Sequence, residues 1–167
     1  MPDPEREPDT RPGADPAAAA PAVDVLGWAA DAHALAAFLD EPNLARIGSV
    51  DAAGDAHVVP VWFHWDGSVF RVSAQVGDTK VANVRRTGRA SLVIDSDVRR
   101  KRGILVTGAA RLVTGAEARA EIAWFGEEQV RRYLPERPPH ETARRMAASG
   151  EPVVIVIVPR SIRAWGR

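Results

Sequence analysis

The segment from position 57 to position 83 places two kinds of chemistry side by side. Residues 57–65 are rich in valine and aromatic side chains, which is typical of a β-strand, and a tight-turn signal follows them. A returning strand then leads into Thr79-Lys80-Val-Ala-Asn83, which has the pattern of a helix start. Free backbone N–H groups and the helix dipole favour an anion there, and Lys80 adds a positive charge. An aromatic wall beside an anion site suits a flat, ring-bearing, phosphorylated cofactor.

Each part of this motif also has an ordinary structural explanation. Threonine and aspartate are common helix caps, and lysine is common on a surface. Trp62 and Trp65 are predicted on opposite faces of one strand, so a single core cannot easily accept both, and one of them faces a ligand or a partner chain. Trp165, near the end of the sequence, either closes the core or contacts a cofactor across a dimer.

The sequence lacks the patterns of several other kinds of site. It has no cysteine, which excludes disulfides, iron–sulfur clusters and thiolate zinc sites. His57 and His64 are predicted on opposite strand faces and no His-x-x-x-His pair occurs, so we expect no metal site. There is no Gly-x-Ser-x-Gly elbow and no glycine-rich nucleotide loop. We therefore assign no catalytic side chain.

The charge is balanced overall but uneven along the chain. The formal net charge is zero, so the chain is not expected to bind nucleic acid. The stretch from position 80 to position 102 is nevertheless basic, with two acids, Asp95 and Asp97. Its basic residues are Lys80, Arg85, Arg86, Arg89, Arg99, Arg100, Lys101 and Arg102. Such a run is either a solvated face or an anion site for a phosphate or carboxylate tail.

The chain is predicted to hold one folded domain. Residues 1–22 are rich in proline and alanine without periodicity, so we expect a disordered leader before a domain spanning residues 23–167. No apolar run has the length of a membrane span, and the beginning of the sequence has no signal-peptide core. The simplest expectation is a cytoplasmic protein that does not bind a membrane.

The hydrophobic patterns predict a mainly β fold with interposed helices. Pro60 lies within the second predicted strand and cannot donate to a ladder, so that strand is expected to be unpaired or bulged there. Helices are predicted over 28–39, 79–86, 116–134 and 141–148, and strands over 44–50, 56–65, 69–74, 90–95, 103–113, 153–158 and 162–165. Six or seven short strands with a few helices favour a small antiparallel β-barrel.

The chain resembles a known family from about Leu35 to Arg167. The pattern is Pro-x-Trp-Phe on the second strand, the Asp-Gly hairpin, and then Thr-Lys-x-x-Asn-x-x-Arg before the next strand. This pattern is similar to that of the pyridoxamine 5′-phosphate oxidase-like superfamily, whose fold is an FMN-binding split β-barrel. Within the superfamily it looks most like the branch that uses coenzyme F420, the flavin/deazaflavin oxidoreductases.

The resemblance implies a homodimer with two cofactor sites at its interface. It implies that Lys80 binds the cofactor phosphate with help from Ser73, Thr79 and Asn83. It also implies that the segment Val59, Pro60, Val61, Trp62 lines the ring system, that Trp165 of the partner closes the pocket, and that Arg85 and Arg86 meet a polyglutamate tail.

The resemblance also sets the expected function. The sequence has no C-terminal module with the Arg and His residues that grip the substrate in true pyridoxamine phosphate oxidases, so vitamin B6 oxidation is not expected. We expect hydride transfer from reduced coenzyme F420 to a flat substrate such as a quinone, enone or tetrapyrrole. An FMN-dependent reductase or oxidase, a non-catalytic protein that binds flavin, F420 or haem, and a purely structural dimer are the alternatives.

Overall fold

Eight β-strands form one curved sheet in the computed structural model, which describes residues 23–96 and 102–166. The strands are β1 (Asp24–Leu26), β2 (Ala45–Val50), β3 (Ala56–Val61), β4 (His64–Trp65), β5 (Phe70–Gln75), β6 (Arg89–Ser96), β7 (Arg102–Thr114) and β8 (Pro152–Trp165). The helices are α1 (Ala32–Leu39), α2 (Thr79–Thr87), α3 (Gly115–Tyr133) and α4 (Pro139–Ala148). The predicted leader and the basic residues Arg99, Arg100 and Lys101 lie outside the described residues.

The order of strands explains the closed shape of the sheet. Along the sheet the order is β3-β2-β6-β7-β8-β5-β4, and every pair on this path is antiparallel. β1 pairs with β8 in parallel. The two end strands, β3 and β4, are separated in sequence only by Trp62 and Phe63. The chain therefore passes from one end of the sheet to the other within two residues, as in a split barrel.

The prediction of one continuous strand over 56–65 is wrong. Residues 56–61 pair with β2, whereas His64 and Trp65 pair with β5 at the opposite end of the sheet. Exposed and half-buried side chains alternate along β3, as Val58 and Val59 show. This alternation stops after β3, because the consecutive residues Phe63 and His64 are both buried. Hydrophobic period alone could not reveal the change of partner, because both halves satisfy the same strand pattern.

Pro60 does not cause a bulge. It lies opposite Arg46 in a register that runs without interruption from Ala45–Val61 to Val50–Ala56. The sheet tolerates this proline because β3 lies at the end of the sheet and, among the described strands, pairs with β2 alone, so one edge of β3 needs no donor.

The last two predicted strands are one strand of 14 residues. β8 pairs with β7, β5 and β1, and its register against β7 shifts between Thr107 and Gly108. Thr107 lies opposite Ser161 and Gly108 opposite Pro159, so Arg160 is the extra residue of a β-bulge. The prediction of two separate strands over 153–158 and 162–165 is therefore wrong, because the chain continues through the bulge in one strand.

The beginning of the domain also differs from the prediction. The helix expected over 28–39 is a short 3₁₀ turn at Gly27–Ala30 followed by α1. Asp31 caps α1, because its side chain accepts hydrogen bonds from the N–H groups of His33 and Ala34 at 2.9 and 3.2 Å. The three-residue strand β1 was not predicted because it is too short to show a period.

Two hydrophobic clusters lie on the two sides of the sheet. The cluster inside the barrel contains α1, α2 and the inward residues of the strands, with Phe38, Phe63 and Phe70 among its largest side chains. The second cluster packs α3 against β7 and β8 through Ile122 and Phe125. The ion pairs Glu127–Arg131 and Glu128–Arg132 each join successive turns of α3. No described helix is long and apolar enough to span a bilayer.

A buried ion group joins the β4–β5 hairpin to α3. Arg71 is 7% exposed and pairs with Asp66 in the turn and with Glu121 on α3, the latter at 3.2 Å. Burial alone raises the pKa of Asp66, but hydrogen bonds from the Val69 N–H, Arg71 and Ser68 outweigh it and lower the pKa to about 2. Burial raises the pKa of Glu121 above its usual range despite the charge on Arg71.

We expect the Asp66 carboxylate to make stability depend on acid pH. Its pKa is lower in the folded chain than the ordinary value of 3.8, so its stabilisation is complete above about pH 4 and is lost as the pH falls towards 2. Asp66→Asn should lower the melting temperature at pH 7 and flatten its decline between pH 4 and 2, as followed by circular dichroism. A variant that loses as much melting temperature at pH 2.5 as at pH 7 would contradict this assignment.

Candidate functional site

A crevice of about 420 Å³ opens on the outer face of the sheet, on the side away from the barrel core. It lies between the β2–β3 hairpin, the end of α2 and the bulge of β8. Its lining residues are Gly48, Ser49, Val50, Ala56, Val58, Thr87, Arg89, Ala90, Ser91, Thr107, Gly108 and Arg160. A volume of this size is within the range of small-molecule sites.

The floor of the crevice is made of small residues in register. Gly48 pairs with Ser91, and Ser91 pairs with Thr107, so their side chains share one face of three neighbouring strands. Val58, opposite Gly48, is 61% exposed and forms an apolar wall. Small side chains at these register positions leave the concave space open.

The opposite rim of the crevice is positively charged. A Cβ on Gly108 would lie 2.1 Å from the carbonyl oxygen of Val158, so the two strands approach closely where β8 bulges. The bulge directs Arg160 to the crevice, and the same side chain lines two further crevices of about 420 and 330 Å³. Neither Arg89 nor Arg160 forms a side-chain ion pair within the described residues, so both charges are available to an anion.

Lys80 lies at the start of α2, as predicted, but it is not free. Its Nζ pairs with Asp78, and its side chain is 13% exposed. Asp78 also accepts a hydrogen bond from the Gln75 N–H at 3.0 Å and makes no side-chain cap bond to the helix. Burial raises the pKa of Asp78, but the Lys80 hydrogen bond, the Gln75 hydrogen bond and the Lys80 charge lower it overall. An anion at Lys80 must therefore compete with Asp78.

The next turns of α2 are fixed to the wall of the crevice. Asn83 is buried and donates to Ser49 Oγ at 3.0 Å. Arg86 donates to the carbonyl oxygen of Val50. Ser49 and Val50 both line the crevice, so these two bonds connect the predicted anion-binding helix to it. Thr79, by contrast, is exposed at the helix start.

The predicted ring-binding segment splits between two environments. Val59 and Val61 pack against the barrel core, and Pro60 is exposed on the outer face. Trp62 stacks on Tyr133 at the end of α3, with ring centroids 5.0 Å apart and an interplanar angle of 12°. Trp65 packs on Phe70 at 4.3 Å, against the core.

Two further predicted residues stand at separate places. Ser73 lies on β5, and its buried Oγ has no hydrogen-bond partner in the described part of the chain. The Trp165 side chain covers Gly103, where a Cβ would lie 2.4 Å from the indole ring, yet it remains 42% exposed. Its carbonyl oxygen accepts a bond from Trp28 Nε1 at 3.0 Å. Trp165 is thus a rim residue of the outer face.

Within one chain the ten predicted residues do not form one cluster. The α2 residues, the segment 59–62, Ser73 and Trp165 occupy four regions, and none of the ten lines the crevice. Sequence reasoning missed Val58 and Arg160. The alternation of β3 could have indicated Val58, because it predicted that residue on the face of Pro60. Arg160 had no comparable signal, since its position depends on the bulge.

Among residues 23–96 and 102–166, no group of three or more His, Asp or Glu side chains is placed to hold a metal ion. The crevice itself is lined by two arginines, by serine and threonine hydroxyls and by small apolar side chains, whereas Trp62 and Trp165 lie outside it. The arginines and hydroxyls can bind an anion, and no paired acid and base stand among the described residues of this lining.

Comparison with solved structures identifies the fold. The Mycobacterium tuberculosis conserved hypothetical protein Rv2991 is 22% identical, with a TM-score of 0.67, and 87% of this chain and 88% of that one are covered. A structure named F420 reductase is 21% identical, with a TM-score of 0.59 and coverage of 75% and 93%. HutZ, the haem storage protein of Vibrio cholerae, is 16% identical, with a TM-score of 0.60 and coverage of 75% and 87%. These likenesses show the split-barrel fold.

A family comparison goes further than the fold. No curated protein sequence matches the chain significantly. The family model described as pyridoxamine 5′-phosphate oxidase, however, matches residues 32–166, which include all four helices and every strand except β1. The resemblance inferred from the Trp-Phe strand, the Asp-Gly turn and the Thr-Lys-x-x-Asn helix is confirmed at this level. The chain belongs to the pyridoxamine 5′-phosphate oxidase family.

Proposed function

We propose that the protein is an oxidoreductase that uses coenzyme F420 to transfer hydride to a flat, reducible substrate such as a quinone, enone or tetrapyrrole. The observation that carries the proposal is the open crevice, whose cationic rim has no ion-pair partner among the described residues and which is connected to the Lys80 helix through Asn83 and Arg86. Family membership and the fold shared with a structure named F420 reductase support it.

The residues present fit a phosphorylated ring cofactor. Ser73 Oγ is buried without a partner among the described residues, which leaves a hydroxyl for an acceptor or donor of the ligand. Lys80, Thr79 and Asn83 would hold the phosphate, and Arg86 an acidic tail. The segment Val59, Pro60, Val61, Trp62 would line the ring.

The outer face of the sheet supports a homodimer. Leu26, Val50, Val58 and Trp165 are large apolar residues on strands of this sheet that are each more than 40% exposed. A second copy of the chain would cover them and close the crevice from above. Such a dimer also explains why the predicted site residues fall in separate regions of one chain, since Trp165 of the partner would complete the site.

The described residues at the crevice include no acid–base pair, so we assign the chemical step to the cofactor and the binding of the cofactor to the protein. The bound cofactor supplies the hydride chemistry. The protein binds the phosphate through cations, orients the ring against Trp62 and excludes water once the partner covers the face. No side chain is required to become covalently modified.

FMN shares the ring outline and the phosphate, so an FMN-dependent reductase is the second candidate. Equilibrium titration of the purified protein with F420 and with FMN distinguishes the two. We expect the tighter complex with F420, and substrate-dependent reoxidation of bound reduced F420 with at least one member of a panel of quinones and enones. Tighter binding of FMN than of F420 would indicate an FMN-dependent enzyme instead. Cofactor binding without any substrate turnover would favour a non-catalytic cofactor carrier. Binding of neither F420 nor FMN would contradict the proposal.

The proposed dimer gives a separate prediction. Val58→Asp places a charge in the centre of the exposed face and should convert the dimer to a monomer in sedimentation analysis, with loss of cofactor affinity. Val76→Asp is the matched control, because Val76 is also exposed but follows β5 in a turn. If the wild-type protein is a monomer that binds cofactor tightly, the interfacial site is wrong.

A further inference from the structure

The residues between the two ends of the sheet are held by the last turn of α3. Arg132 is 7% exposed and donates to the carbonyl oxygen of Phe63 at 3.4 Å. Its guanidinium also lies 5.2 Å from the centre of the Phe63 ring and 5.7 Å from that of Tyr133. Glu128 pairs with Arg132 from one turn earlier. The link between β3 and β4 is therefore attached to a helix as well as to the sheet.

Tyr133 has two contacts that fix its ring. Its Oη donates to the carbonyl oxygen of Asn43 at 3.0 Å, in the loop before β2. Its ring stacks nearly parallel on Trp62. Burial raises the pKa of Tyr133, so the phenol stays protonated and keeps this donor at neutral pH. Trp62 remains partly exposed, so the stack has a supported side and an accessible side.

We propose that Tyr133 is a positioning residue that sets the ring plane of Trp62 for stacking against a flat ring ligand. The inference rests on the proposed function, in which Trp62 lines the ring site. A tryptophan with free rotation about its side-chain bonds loses conformational entropy when it stacks on a ligand. A ring already held parallel by Tyr133 avoids that loss, so the helix contributes to affinity without touching the ligand.

A double-mutant cycle on the full-length dimer tests this role. Tyr133→Leu should weaken FMN and F420 binding roughly two- to twelvefold, the range for an aromatic stacking pair. In a Trp62→Leu background the same change should have no further effect, since its consequence passes through Trp62. Tyr133→Phe keeps the stack and loses only the bond to Asn43, so it should weaken binding less than Tyr133→Leu does. Trp124→Leu is the control on the same helix, because Trp124 packs on His64 and Phe125 instead.

A second readout needs no ligand. Fluorine NMR of protein labelled with fluorotryptophan should show the Trp62 resonance, identified by its loss in Trp62→Phe, shifted in Tyr133→Leu and unchanged in Trp124→Leu. An unshifted resonance, or an equal loss of affinity in both Trp62 backgrounds, would overturn the positioning role alone. Failure of the wild-type protein to bind either cofactor would overturn the proposed function and this inference together.

Discussion

Arg71→Met should strongly destabilise the folded chain. It leaves Glu121, which is 1% exposed, without its charge partner, and removal of one member of a buried pair costs about 3–5 kcal/mol. The Asp66 carboxylate loses less stabilisation, because it keeps its hydrogen bonds from Ser68 and from the Val69 N–H. Urea unfolding followed by circular dichroism measures the loss, and Arg46→Met provides a matched control.

The control and the rescue make this test specific. Arg46 pairs with Asp95 on the surface, with the two side chains 51% and 36% exposed, so its loss should cost at most about 1 kcal/mol. Arg71→Met combined with Glu121→Leu replaces the pair by apolar volume and should recover most of the lost stability. If the double variant is no more stable than Arg71→Met, the penalty does not come from an unpaired Glu121.

Lys80→Ala should produce the largest loss of cofactor affinity among single α2 variants. A lost charge-assisted bond to phosphate corresponds to about 1.5–3 kcal/mol, or roughly 10- to 150-fold in the dissociation constant. Titration with FMN measures this effect without a contribution from an acidic tail. Arg144→Ala, an exposed residue on α4, removes the same charge and should leave affinity nearly unchanged.

The ion pair between Asp78 and Lys80 provides a second test of the phosphate site. In the ligand-free protein Asp78 already neutralises Lys80, so part of the binding energy is needed to displace it. Asp78→Asn retains an acceptor for the Gln75 N–H but removes the competing charge, and it should strengthen phosphate binding several-fold. Unchanged affinity in both Lys80→Ala and Asp78→Asn would place the phosphate elsewhere.

The sequence was sufficient for elements with a strong local signal. The Asp66-Gly67 turn forms because Asp66 accepts bonds from the Ser68 and Val69 N–H groups. α2 begins at Thr79 as predicted, and α3, which was predicted over 116–134, carries the i, i+4 pairs Glu127–Arg131 and Glu128–Arg132. These features depend on residues within four positions of one another, which is the distance over which pattern reasoning is informative.

The features that sequence reasoning missed depend on distant parts of the chain. Residues 56–61 pair with β2, whereas residues 64 and 65 pair with β5. The hydrophobic period of the segment 56–65 does not indicate which strand lies beside each part. Arg160 reaches the crevice because Gly108 allows close approach to β8. Tyr133 stacks on Trp62, which lies 71 positions earlier in the chain, so the sequence could not identify the two as partners. The sequence therefore predicts which chemical groups the candidate site contains but not how those groups are arranged in space.

The position of β8 has a consequence for how the chain is made. This strand pairs with β1, β5 and β7, yet it is the last of the eight to leave the ribosome. Until it emerges, β5 and β7 are not joined and the nascent chain exposes their apolar edges. Pairings between such distant segments close slowly and favour aggregation in the meantime. Low temperature or chaperone co-expression should therefore raise the soluble yield of this protein more than additives that act on the finished fold.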